Sequence, residues 1–270
     1  MILIYETSVT RYAGFDGVID KHVDGIEAIC IDKIEHIESL ISYSKHKDVM
    51  LLVSIRTRSL LANLGVYPAL RLNDAPHPYT AQALLASGVD CYLNRSGFLL
   101  PFNAISGHPS VSDILFLKSD SGRKAIPGQV IRKQDIDVIR QTYRFDQYAL
   151  CLIAPTVGII CEVRYWVGVD DFGDTTILTR APYAHDDQAI NEDFVAVIEN
   201  HADSCTRSVC SRLQSCSVMV VDLALTEDMQ VKVVEINSVN TSGTYGAASS
   251  VVRNVASFLQ SNRARGHPAC

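Results

Sequence analysis

The sequence predicts a mixed α/β protein made of two unlike parts, a layered βαβ region followed by a domain of long hairpins. Three observations predict this. Short apolar runs alternate with helical spacing over the first hundred residues. A Gly/Pro/Ser-rich break, Ser106-Gly107-His108-Pro109-Ser110, comes after them. Beyond it come longer strands joined by tight acidic turns. The 270 residues are 47% hydrophobic and 20% charged, an ordinary globular balance rather than a fibrous or disordered one. The break divides the chain into residues 1–108 and 109–270.

In the first part Ile2 to Tyr5, Ala28 to Ile31, Val49 to Ile55 and Ala69 to Leu72 read as strands. Ile34, Ile37, Leu40 and Ile41 recur at helical spacing between the second and third. In the second part Ile114 to Ser119 and Tyr148 to Ile153 are strands. Gly158 to Val169 and Thr175 to Thr179 form a hairpin around Asp170-Asp171-Phe172-Gly173-Asp174. One clear helix comes next, with Phe194, Val197, Ile198, Ala202, Cys205, Val209 and Leu213 on one stripe. Asn191 suits its cap, and Glu192 and Asp193 suit its positive start. A second hairpin, Val218 to Thr226 with Gln230 to Asn237, leads into a Ser/Thr/Gly-rich loop and a short helix near Ser250 to Gln260.

Several function classes are excluded on composition. A formal charge of −6 is not that of a surface built to condense on nucleic acid. The apolar run Tyr148 to Cys161, broken by Pro155 and Gly158, is short of the ~20 residues a membrane span needs. The first residues lack a basic lead and a cleavage-type site, so a cytoplasmic protein is expected. Cys30, Cys91, Cys151, Cys161, Cys205, Cys210, Cys216 and Cys270 are dispersed through apolar runs and read as core thiols. The gaps separating Cys205, Cys210 and Cys216 do not match paired zinc-ligand spacing.

The chemistry is concentrated in the last hairpin. A turn centred on Asp228-Met229 sets Asp222 opposite Glu235 and Val220 opposite Asn237. Facing carboxylates at about 5 Å repel unless something compensates. Glu235 and Asn237 share a face with Asp222, while Val221, Leu223 and Leu225 with Val234 and Ile236 form the apolar face. Hard oxygen donors of this kind suit Mg²⁺ carrying a nucleotide phosphate. The alternatives are a solvated acid pair on an ordinary hairpin, or a register slipped by one, since Asp-Met is not a favoured two-residue turn.

A second feature is Phe116-Leu117-Lys118-Ser119-Asp120-Ser121-Gly122-Arg123-Lys124-Ala125-Ile126-Pro127-Gly128, a strand running into a small-residue loop with cations. It suits phosphate oxygens and lacks P-loop spacing; taken alone, such a Ser-Asp-Ser-Gly stretch is more often a surface turn. Third, Glu162, Arg164 and Trp166 alternate on one strand face. Arg164 there needs an acidic partner, Glu162 or another, or else serves a substrate carboxylate or acyl phosphate. Arg56, Arg58 and Arg71 are candidates for an anionic partner. His185, His201, Asp186 and Asp187 read as structural or solvated, and Arg263, Arg265 and His267 as a frayed tail.

Together these segments resemble an ATP-grasp ligase. Val218-Met219-Val220-Val221-Asp222 and Val233-Val234-Glu235-Ile236-Asn237 are similar to the superfamily's metal-binding hairpin. Asn240-Thr241-Ser242-Gly243-Thr244-Tyr245-Gly246, the Lys118 to Gly128 segment and Glu-x-Arg on the next long strand resemble a branch found in phages and bacterial conflict systems. Lys118 stands where that branch usually has Arg, and Ala154 where a Glu before proline is common. The resemblance covers about residues 110–250 and implies an ATP-grasp fold behind a pre-ATP-grasp α/β domain, with a hinge near 152–155.

It further implies that Asp222, Glu235 and Asn237 hold Mg²⁺, and that Lys118, Lys124 and Glu162 contact ATP. Ile153 and Ala154 would offer backbone to adenine, and Arg164 and Lys124 would face the reacting group. The implied reaction joins a small-molecule carboxylate to an amine through an acyl phosphate, on an amino acid or small peptide. An inactive nucleotide-binding regulatory module and an ATP-grasp kinase are the alternatives. No nucleic-acid or membrane partner is expected, and oligomeric state is not legible.

Overall fold

The structure, a computed structural model, describes residues 2–8, 27–31, 49–52, 57, 80–120, 125–143, 146–170, 172–183, 190–213, 218–237, 239, 243–245 and 247–264. The expected 34–41 helix, the 69–72 strand, Lys124, Arg56, Arg58, Arg71, His185, Asp186, Asp187, Cys216 and the chain beyond 264 lie outside them.

The N-terminal strands β1 (Ile2–Tyr5), β2 (Glu27–Cys30) and β3 (Val49–Leu52) form a parallel sheet of order β2-β1-β3. Parallel neighbours need crossovers of a dozen or more residues, and the chain between these strands is long enough for them. Leu3, 1% exposed, points out of β1 into a cluster shared with the last helix, so this sheet is fixed against the C-terminal part.

The next sheet is antiparallel, of order β4-β7-β5-β6: β4 (Phe98–Pro101), β5 (Ile114–Ser119), β6 (Gln129–Arg132) and β7 (Leu150–Ala154). Its apolar side, Leu115, Leu117, Ile131 and Cys151, packs on Phe102, Ile105 and Ile136. Ile136 opens a short helix (Ile136–Tyr143). β4, β6 and this helix are additions to the expected elements, being too short for a periodic signal. β4 precedes the Ser106–Ser110 break yet pairs with β7, Phe98 opposite Ile153, so a division at residue 108 falls inside one sheet.

The largest sheet is antiparallel, of order β11-β10-β8-β9: β8 (Ile159–Val169), β9 (Thr175–Tyr183), β10 (Val218–Thr226) and β11 (Val231–Asn237). A 22-residue helix, Glu192–Leu213, covers one face. Asn191 caps it as expected, its Oδ1 accepting from the Asp193 amide at 2.9 Å. The buried seam is Val195, Ile198, Ala202, Cys205 and Val209, alternating three and four apart, with the expected Phe194, Val197 and Leu213 on its flanks. The final helix, Ala248–Ala264, covers part of the other face through Val251, Val252, Val255 and Leu259 against Trp166, Val218 and Val220. β10 is therefore buried along its whole length. The described cysteines Cys30, Cys91, Cys151, Cys161, Cys205 and Cys210 are free thiols.

A stretch of chain before β4 helps tie the two antiparallel sheets together. A seven-residue helix, Ala81–Ser87, is capped by Thr80 and ended by Gly88 at φ 64. The chain then lies along β11, with Val233 donating to the Cys91 carbonyl at 2.7 Å and Leu93 donating to the Val233 carbonyl at 2.8 Å. Among the described residues no helix is long and apolar enough to cross a membrane.

Two outcomes are expected of this packing. Ile198, fully buried in the helix seam, should on replacement by Ala lower unfolding free energy by about 2–5 kcal/mol in urea titrations; a loss near zero contradicts the assigned face. A Cβ on Gly128 would lie 2.8 Å from the Phe116 ring, so Gly128→Ala should lower the melting temperature measurably, and Gly128→Ala with Phe116→Leu should recover it.

Candidate active site

The last hairpin reaches the expected pairing by an unexpected route. Its loop has three residues, Glu227, Asp228 and Met229, closed by Thr226 N–H to the Gln230 carbonyl at 3.0 Å. Met229 takes the left-handed conformation, φ 60, that the third position of such loops requires. This loop shifts the register by one, so Leu223 pairs with Val233 and Leu225 with Val231. A β-bulge between Asp222 and Leu223 then inserts Val234 as an extra residue and restores Asp222 opposite Glu235 and Val220 opposite Asn237. The expected inward Val234 is corrected: Val233, fully buried, packs with Ile236 against the long helix, because the bulge moves the alternation by one.

From this pairing a row of charged side chains runs across the sheet. Glu235 lies opposite Asp222, Asp222 opposite Arg164, and Arg164 opposite Ala181. Asp222 is 0% exposed, which removes the solvated-pair alternative. Arg164, 5% exposed, holds it with both arms, Nε to Oδ1 at 2.7 Å and Nη2 to Oδ2 at 2.6 Å. The acidic partner of Arg164 is thus Asp222 and not Glu162. Burial pushes the Asp222 carboxyl up to about 6, and the Arg164 guanidinium keeps it from rising further. The Asn237 amide bridges the acids, donating to Asp222 Oδ2 at 3.1 Å and to Glu235 Oε1 at 2.7 Å.

Glu235 is the more open acid, its side chain 17% exposed. Its second oxygen accepts from Lys118 Nζ, so the cation at the end of β5 in the smaller sheet meets the acid of β11 in the larger one. Just past Lys118, Ser119 closes the loop with bonds to both backbone groups of Ile126, at 3.0 and 3.1 Å. Asp120 Oδ1 accepts from the Ala81 amide at 2.6 Å and the Gln82 amide at 3.4 Å, pinning the loop to the short helix. Lys124 lies in the undescribed part of this loop.

The other expected residues lie around this row. Ile153 is inside the ladder, between Phe98 of β4 and Leu117 of β5, so its backbone is committed to the sheet. Ala154 pairs with Phe116 at the strand end, and the exposed Pro155 to Val157 come directly after it. Glu162 is 5% exposed and accepts from the Tyr183 hydroxyl.

Two further residues of this site, Tyr183 and Tyr245, carry no expected role in the sequence. Their rings stack with centroids 4.3 Å apart at 11°, and the Arg164 guanidinium lies 5.6 Å from the first and 5.0 Å from the second. Burial, followed by the Asp222 and Glu162 charges, pushes the Tyr183 phenol well above its ordinary range, so it stays a donor. The expected end of β9 at Thr179 is corrected to Tyr183; continuing the alternation through Ala181 brings Tyr183 to Glu162. Gly243 presents its carbonyl to Arg164 Nη1 at 3.0 Å.

The donor set fits a hard divalent cation. Two carboxylates and an amide converge, and such a cation commonly uses one or two carboxylates with substrate phosphates and waters. Among the described residues no cluster of three or more His, Cys, Asp or Glu is gathered, so the set is two acids completed by Asn237. The repulsion of the acids is offset here by Arg164 on one side and Lys118 on the other. Asn237 would turn its amide to present oxygen to a cation.

The Arg164–Asp222 pair makes a stability prediction. Arg164→Met should cost about 3–5 kcal/mol by leaving a buried carboxylate unpaired, and adding Asp222→Asn should recover a large part of it in denaturant titrations. An additive double mutant contradicts the pairing.

Comparison with known proteins agrees with this architecture. Solved structures of similar fold include an ADP complex of N5-carboxyaminoimidazole ribonucleotide synthetase, at TM-score 0.56, 15% identity, 95% of this chain and 76% of that one. The D-alanine–D-alanine ligase of Bacillus anthracis complexed with ATP matches at TM-score 0.53, 13% identity, 98% of this chain and 100% of the other. A D-cycloserine synthetase matches at TM-score 0.54, 14% identity, 97% of this chain and 99% of the other. At these identities the likeness is one of fold. No match is found among curated proteins. The family model for an ATP-grasp domain, family 2 of its clade, matches residues 92–255, more than half of the chain and all of the charged row. The chain therefore belongs to the ATP-grasp superfamily.

Proposed function

We propose that this protein is an ATP-dependent carboxylate–amine ligase that activates a small-molecule carboxylate as its acyl phosphate and passes the acyl group to an amine. The observation that carries the reading is the row Lys118, Glu235, Asp222, Arg164, set where the smaller antiparallel sheet meets the larger. Family membership supports ATP as the phosphoryl donor, and a fold neighbour named as a D-alanine–D-alanine ligase supports amide formation as the outcome.

Each residue has a task that comes from its surroundings. Glu235 and Asn237, with Asp222, would hold Mg²⁺, which when bound offsets phosphate charge and aligns the transferring group. Lys118 is paired with Glu235 here. On nucleotide entry it would exchange that carboxylate for phosphate oxygens and release one Glu235 oxygen to the cation. Lys124 is assigned to the phosphates on the resemblance alone. Ala154 marks the strand end where adenine would lie, Ile153 being taken up by the ladder, and the hinge expected near 152–155 would continue into the exposed Pro155 to Val157.

Arg164 spends three of its N–H groups on Asp222 and Gly243, and a guanidinium has five. It fixes the Asp222 oxygens and keeps two donors for an anionic reacting group. Glu162 accepts from Tyr183 and orients that ring beside the guanidinium. Phosphoryl transfer depends chiefly on positioning and charge, and this row is built to supply both.

ADP release from Mg·ATP across amino acids, small peptides and amines, with mass spectrometry of products, tests the reading. An amide product with ADP is expected; a stable phosphoester identifies a kinase instead, and absence of any ADP release contradicts catalysis. Glu235→Gln should abolish turnover while the circular dichroism spectrum persists. Lys118→Met should raise the KM for Mg·ATP by roughly tenfold, the loss of one charge-assisted contact; unchanged KM removes Lys118 from the nucleotide site.

A further inference from the structure

The charged row has a direction. Lys118 and Glu235 stand at the β11 side, and Arg164 with the Tyr183–Tyr245 stack stands at the β9 side. Neighbouring strands are about 4.8 Å apart, so the four-stranded row spans roughly 14 Å. On the ligase reading, phosphates held by Lys118 would lie at one end of the row, and the group that receives phosphoryl would lie at the other, beside the tyrosines.

Tyr245 is held there against its own backbone preference. Its φ is 45; the other non-glycine residue with positive φ among those described, Met229, is accounted for by the hairpin loop. Strain of this kind persists where surrounding contacts over-determine it, and it concentrates at ligand sites. One burial and two contacts do so here. The preceding Thr244 is 1% exposed, the Gly243 carbonyl is bonded to Arg164 at 3.0 Å, and the ring is stacked on Tyr183. Despite these contacts Tyr245 is 51% exposed, so the pair presents an aromatic surface beside the reacting end of the row. Arg164 already lies 5.0 Å from the ring centroid, and a second cation there meets repulsion. A neutral flat group extends the stack without that cost.

Resting on the ligase reading above, we propose that Tyr245, backed by Tyr183, forms the wall of the carboxylate-substrate subsite and selects a substrate bearing a flat, uncharged aromatic ring beside its carboxylate. Hydroxylamine, supplied in excess as the amine, attacks the acyl phosphate carbon, expels inorganic phosphate and leaves a hydroxamate that can be measured directly. Wild-type protein with Mg·ATP is assayed with phenylalanine and tyrosine against leucine and arginine. The aromatic pair should give at least tenfold higher kcat/KM. Tyr245→Ala should bring phenylalanine down to the leucine value with KM for Mg·ATP unchanged, and Tyr245→Phe should stay within about twofold of wild type because the ring is retained.

Hydroxamate formed without aromatic preference overturns this inference and leaves the ligase reading standing. So does a Tyr245→Ala effect on the Mg·ATP KM in place of the substrate, or a Tyr245→Phe protein as impaired as Tyr245→Ala. No nucleotide binding and no hydroxamate from any carboxylate overturns the ligase reading and this inference with it. Matching melting temperatures for the two variants separate a lost surface from a lost fold.

Discussion

Two carboxylates placed side by side, one of them wholly out of water, are the constraint to which the rest of the structure answers. Asp222 is 0% exposed and Glu235 lies directly opposite. Burying an ionised acid costs several kcal/mol unless it is paired and hydrogen-bonded, and here each acid has its own cation. Arg164 reaches Asp222 from the same sheet with both arms, whereas Lys118 reaches Glu235 from a different sheet. The first contact is internal to one ladder. The second crosses between two sheets, so it is the one that the proposed nucleotide would replace.

The fold makes that difference possible. β10 is buried along its whole length, with the Glu192–Leu213 helix on one face and the Ala248–Ala264 helix over part of the other, and its pairing with β8 holds Asp222 opposite Arg164. β5 belongs to a sheet with its own core, built on Phe102, Leu115, Leu117 and Ile153. Its chief attachments near the site are the Asp120 carboxylate on the Ala81 amide and the strip from Cys91 to Leu93 along β11. A few polar contacts of this kind open at lower free energy than a shared apolar core. Such an attachment would let the nucleotide site proposed above exclude water once occupied.

Much of this is legible in the sequence because strand alternation is a local property. Ile114 to Ser119 and Val218 to Thr226 have in the structure the bounds that their apolar patterns predict, and the acid pair comes from hairpin arithmetic alone. That arithmetic assumes a two-residue turn; the three-residue loop and the Val234 bulge offset one another, so the acids meet while the inward valine changes from Val234 to Val233. A bulge leaves no mark on apolar periodicity that a single sequence reveals. Nor do β4 and β6, four residues each, carry enough alternation to be seen. The partner of Arg164 is not legible, because Glu162, on its own strand, is nearer in sequence than Asp222, 58 positions away. Tyr183 and Tyr245 escape sequence reasoning for the same cause: their stack depends on a loop returning over the sheet, which is tertiary information.

The central claim is that the Glu235 and Asn237 oxygens, with Asp222 beside them, are held for a cation that arrives with a nucleotide. Calorimetric titration of the full chain with a non-hydrolysable ATP analogue, with excess Mg²⁺ and again with EDTA, tests it most directly. Binding that is strong with Mg²⁺ and at least tenfold weaker without it is the predicted result. Equal affinity in the two titrations, or none in either, contradicts the account.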